Sequence, residues 1–60
     1  VEARPWVHAR IELERGKIAD LRGRRDVARS AYEAAIRLAR KGNDPAARAE
    51  AERFHRTPFR

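Results

Sequence analysis

The chain has no cysteine and no methionine, and only one tryptophan, one tyrosine and two phenylalanines among its 60 residues. Without cysteine there is neither a disulfide to staple a small domain nor a thiolate set for a zinc ion. A domain this short buries only about 60% of the surface its unfolded chain exposes. No apolar run approaches the ~18 residues of a membrane span, and no signal-peptide core is visible. The expectation is therefore a soluble chain with the cytoplasm as its compartment. A first residue of Val1 and the lack of methionine suggest a processed chain or a piece of a longer one.

Groups that do chemistry are equally sparse. His8 and His55 are the only histidines, and neither has a second metal ligand three or four residues away, so no metal or cofactor is expected. Glu12 follows His8 at the spacing of a helix-surface pair. Ser30 has no base arranged beside it. Glu12 and Glu14 are two apart and do not face each other on a helix. Gly16 and Gly23 fit neither glycine-rich phosphate loop. No enzyme is read from these residues.

Positive charge is what the chain has in excess. Its net charge is +6, carried almost wholly by arginine, with only Lys17 and Lys41 as lysines. Arg22, Arg24, Arg25 and Arg29 form the densest cluster, and as phosphate contacts they would make a small basic module binding the RNA or DNA backbone. Against that stand Asp20 and Asp26, which bracket the cluster and can pair with it. No aromatic residue is interleaved for base stacking, and no helix offers a base-reading face. Arginine is also a good helix former on any wet surface, so nucleic acid is the second reading.

The hydrophobic pattern predicts an all-α chain of three helices joined by short loops, hence antiparallel. The first begins near Pro5, where a missing N–H costs nothing, and runs to about Arg22. It carries two apolar stripes, Val7, Ile11 and Ile18 on one face, and Trp6, Leu13 and Leu21 on an adjoining one. Gly23 makes the turn and Asp26 is placed to cap the next helix. In that second helix, Val27 to Lys41, the residues Ala28, Ala31, Tyr32, Ala35, Leu38 and Ala39 form a continuous seam. Glu33 and Arg37 are spaced as an ion pair, and Gly42 stands where a left-handed cap is expected. Asp44 and Pro45 read as cap and first residue of a third helix to about His55, with Ala47, Ala51 and Phe54 on one side. Thr57 and Pro58 stop it, and Phe59 is placed to fold back as a plug.

The small and aromatic residues have a spacing of their own. Ala28 follows Gly16 by twelve positions, Tyr32 follows Ala28 by four, and Ala35 follows Tyr32 by three. Over roughly residues 9 to 40 this resembles a single tetratricopeptide repeat, a helical hairpin with Gly in its first helix and Ala-x3-Phe/Tyr in its second. Glu12, Arg15 and Ala19 stand where that family usually carries Trp, Leu and Tyr, and Arg40 replaces a frequent Pro. The resemblance implies a hairpin over about 9–41 and a capping helix over about 45–55, forming one small domain of a longer repeat array.

It also implies a function. In that family the first helix of each unit lines a groove for an extended peptide or partner helix. The matching positions here are Arg10, Leu13, Lys17, Asp20 and Leu21, with Trp6 in line above them. Their chemistry suits an acidic or amphipathic protein partner. Val7, Ile11 and Ile18, on the outer face of the first helix, imply self-association. A purely structural role as the end-cap of a larger protein is the third reading.

Overall fold

The computed structural model describes residues 5–59, with the side chains of residues 7–59. Three helices follow one another, α1 (Pro5–Leu21), α2 (Arg25–Gly42) and α3 (Pro45–Arg56). The fold is all-α, as the hydrophobic periodicity predicts. The lead-in to Pro5 and the side chain of Trp6 lie outside the described residues.

The connections show how local chemistry sets the helix ends. Gly23 takes a left-handed conformation, φ 74°, which turns the chain so that the Arg24 N–H bonds back to the Ala19 carbonyl at 2.8 Å. Asp26 does not cap α2. The helix starts one residue before it, and Arg24 occupies the cap position without a side-chain hydrogen bond. Asp26 sits in the first turn instead, where its negative charge still complements the helix dipole. At the other end Gly42 stays helical and Asn43 is the left-handed residue, with φ 53°. Asparagine is among the few side chains that tolerate this region. Asp44 accepts the Ala47 N–H at 3.1 Å, and Pro45 follows it as the first helical residue, as the sequence predicts.

The helices run antiparallel in succession. Ala9, near the start of α1, clusters with Ala39, near the end of α2, while Ala19 and Ala28 meet at the opposite end. α2 lies between the other two, and α1 and α3 touch along a shorter strip. Alanines make most of the core: Ala9, Ala28, Ala35, Ala39, Ala47 and Ala51 are buried. Small side chains let backbones approach closely, and the space left over is filled by the two largest buried residues, Tyr32 and Leu13. Phe54 and Ile36 pack against this cluster from its edge.

Candidate functional site

Asp20 is the polar centre of the molecule. Its side chain is only 2% exposed, yet every buried polar side-chain atom among the described residues has a hydrogen-bond partner. The Tyr32 hydroxyl donates to Asp20 Oδ2 at 2.7 Å, the Phe59 backbone N–H donates to the same oxygen at 3.0 Å, and Arg25 Nη1 reaches both oxygens at 3.0 and 3.1 Å. Arg25 Nη2 also donates to the His55 carbonyl at 2.7 Å, near the end of α3. One carboxylate thus ties α1 to the first residue and the middle of α2 and to the C-terminal segment, and through Arg25 to the end of α3.

The electrostatics follow from those contacts. Burial alone would raise the Asp20 carboxyl, but the Phe59 N–H, the Tyr32 hydroxyl and Arg25 outweigh it and hold the group below its usual range. For the Tyr32 hydroxyl, burial and the adjacent carboxylate act together and push it far above the ordinary phenol value. At neutral pH Asp20 is charged and Tyr32 is not. The pair is a structural clasp with its proton fixed on the phenol.

The face drawn from the resemblance is largely taken up by this chain itself. Leu13 is 2% exposed and lies in the core, and Asp20 is bonded as described. Lys17 Nζ stands 5.6 Å from the Phe54 ring centroid and 5.3 Å from that of Phe59. Phe59 meets Phe54 edge-on at 5.2 Å, folding back as the plug the sequence suggests. Arg10 is exposed and pairs with Asp44 across 3.5 Å. Leu21 is 64% exposed. The six positions therefore do not form one open groove. Three of them are covered by α2, α3 and the C-terminal segment, Arg10 and Leu21 are exposed, and Trp6 is outside the described side chains.

The outer face of α1 is different. Ala9 and Gly16 face α2, and at helical spacing Val7, Ile11 and Ile18 lie on the opposite side. Ile11 is 48% and Ile18 50% exposed. Val7, Ile11 and Ile18 line one shallow hollow with Arg10, Glu14 and Arg15. A second hollow continues it past Ile18 to Ala19, Val27, Arg22 and Arg24. No described element packs on this side of α1.

The arginine cluster divides in two. Arg25 is held by Asp20 and the His55 carbonyl and is not a free cation. Arg29 borders a separate surface hollow with Arg25, His55 and Arg56, while Arg22 and Arg24 border the α1 stripe. His55 Nε2 lies 3.2 Å from Glu33 Oε2, so Glu33 meets α3 rather than Arg37. Glu12 pairs with Arg15 at 3.6 Å rather than with His8. Among the described residues no group of His, Cys, Asp or Glu is gathered as a metal-binding set, and no helix is long and apolar enough to cross a membrane.

The clasp leaves little local signature in the sequence. The Asp20 partners Tyr32 and Phe59 lie twelve and thirty-nine residues away, and only the fold-back expected of Phe59 points toward it. Compared with protein-family models, with curated proteins and with solved structures, the chain has no match.

Proposed function

We propose that this chain is a cytoplasmic protein-interaction or scaffolding element, a tetratricopeptide-like helical unit that takes a partner helix or peptide on α1. The observation that carries the reading is the stripe of Val7, Ile11 and Ile18, continued by Leu21, left open on the side of α1 opposite the core. In a chain with so few large apolar residues, placing three or four of them on an open surface is costly unless another surface covers them. The partner face is thus the outer face of α1 rather than the positions Leu13, Lys17 and Asp20, which the clasp and the plug occupy. α3 suits the end of a helical stack, since Ala47 and Ala51 face inward while Arg48, Arg53 and Arg56 are exposed.

An uncharged amphipathic helical peptide, with a leucine stripe on an alanine and glutamine background, tests this by titration calorimetry. Saturable binding with a negative heat-capacity change is expected. It should be lost in an Ile11→Ser/Ile18→Ser double variant whose circular dichroism is unchanged. The phosphate-binding alternative is tested beside it with duplex DNA and an Arg22→Gln/Arg24→Gln/Arg29→Gln variant, Arg25 being spared because it holds Asp20. Tight duplex binding that falls steeply with salt and disappears in that variant would replace the interaction reading.

A further inference from the structure

The rim of the α1 stripe carries information about what covers it. Four arginines, Arg10, Arg15, Arg22 and Arg24, border the two hollows, against a single carboxylate, Glu14. Glu14 is already engaged by Lys17 at 3.3 Å. Arg10 and Arg15 reach Asp44 at 3.5 Å and Glu12 at 3.6 Å, with side chains 53% and 71% exposed, while Arg22 and Arg24 make no ion pair among the described residues. The excess is also ordered. Arg15 and Arg22 are seven residues apart, as are Ile11 and Ile18. Arg15 on α1 and Arg22 just past its end, whose N–H still bonds to the Ile18 carbonyl at 3.1 Å, therefore set positive charge beside the apolar row.

From this we infer that the stripe docks an acidic amphipathic helix, one with carboxylates at seven-residue spacing alongside its own apolar row. The inference rests on the interaction reading above and specifies the partner's chemistry. Val7 to Leu21 spans roughly 21 Å at 1.5 Å per residue, the length of about four helical turns, so a partner helix of that length covers it. Aligned carboxylates meet Arg15 and Arg22 at the rim, where opposite charge speeds encounter and selects against basic partners.

A second copy of this chain is the natural competitor, and charge argues against it. Each copy would bring four arginines and one carboxylate to the junction, and two chains of net charge +6 repel one another on approach. Nucleic acid would satisfy the arginines but would leave the isoleucines between them facing phosphates and water.

Three synthetic peptides of eighteen residues share one leucine stripe and differ only in flanking positions, which are Glu, Gln or Lys. Their affinities for the full chain are measured by fluorescence anisotropy in low and high salt. The Glu-flanked peptide is expected to bind about tenfold more tightly than the Gln-flanked one, a difference of ~1.4 kcal/mol, with the Lys-flanked peptide weakest. High salt should compress the order. An Arg15→Gln/Arg22→Gln variant should remove the preference for Glu while keeping the affinity for the Gln-flanked peptide. Equal binding of all three peptides would overturn the acidic-partner inference and leave the interaction reading standing. Failure of all three to bind, or binding unaffected by Ile18→Asp, would overturn both. Sedimentation showing a dimer that Ile18→Asp dissociates, with no peptide affinity, would put a second copy on the stripe.

Discussion

The Tyr32 ring lies directly against Gly16, so closely that a Cβ on that glycine would clash with the ring, 2.6 Å from Cδ1 and 2.8 Å from Cζ, with Cε1 nearer still. The hydroxyl at the far end of the same ring reaches Asp20, one helical turn further along α1. Glycine at one position and tyrosine at the other form a single packing unit joining the first two helices.

Gly16→Ala tests that unit with one methyl group. Alanine is the better helix former by about 1 kcal/mol, so an open site would be stabilised. Here the ring is fully buried and held at its hydroxyl, so it cannot step aside. A net loss of about 1–3 kcal/mol is expected from overpacking, read as a fall in thermal midpoint of several degrees. A variant as stable as the parent would show that the ring is free to move.

This unit was legible in the sequence because its members repeat at helical intervals on neighbouring elements. Gly16, Ala28, Tyr32 and Ala35 announce a close helix pair by their size alone. Asp20 announces nothing of the kind. It is one of several charged residues on α1, and only the return of Phe59 and the direction of Arg25 separate it from Glu14. The same limit sets Leu13 and Lys17 on an open groove in the sequence pattern, since periodicity groups residues by face without saying which face a later segment covers. The caps at Asn43 and Arg24 differ from expectation by one or two residues, because glycine and aspartate are favoured in such positions by propensity, while the final register is set by where the helices meet.

Arg24 offers a route to a more stable chain. It occupies the N-cap of α2 without a side-chain hydrogen bond, leaving first-turn N–H groups to water. Arg24→Ser supplies an acceptor of the preferred type and should stabilise by about 1 kcal/mol. Asp44→Ala is the converse, removing the acceptor of the Ala47 N–H and the partner of Arg10, and should cost about 1 kcal/mol. Urea midpoints check both, and a destabilised Arg24→Ser would mean that the arginine contributes a contact of its own.

The C-terminal plug makes two separable contributions. Phe59→Ala keeps the backbone N–H on Asp20 but removes the edge-on contact with Phe54, a loss of about 0.5–1.5 kcal/mol for an aromatic pair beyond its buried area. Truncation after Thr57 removes the N–H as well. Since hydrogen bonds to charged groups are worth roughly 1.5–3 kcal/mol, the truncated chain should be clearly the weaker of the two. Equal stability of the two variants would show that the bond to Asp20 contributes nothing.

Acid and alkali should act on opposite ends of one hydrogen bond. The Asp20 carboxyl titrates lower in the folded chain than in the unfolded one. Its contribution is therefore complete above the unfolded value of about 3.9 and is lost as pH falls through the folded value. The Tyr32 hydroxyl titrates higher when folded, so its contribution is complete below the unfolded value of about 10 and is lost as pH rises toward the folded value. Asp20→Asn should lower stability at neutral pH by ~2 kcal/mol, because Arg25 and the Phe59 N–H then face an amide rather than a carboxylate. It should also flatten the acid limb of a plot of thermal midpoint against pH, while Tyr32→Phe flattens the alkaline limb and keeps the acid one. Parallel curves for Asp20→Asn and the parent below pH ~4 would mean that another carboxylate governs acid unfolding, and would remove Asp20 from the centre of the clasp.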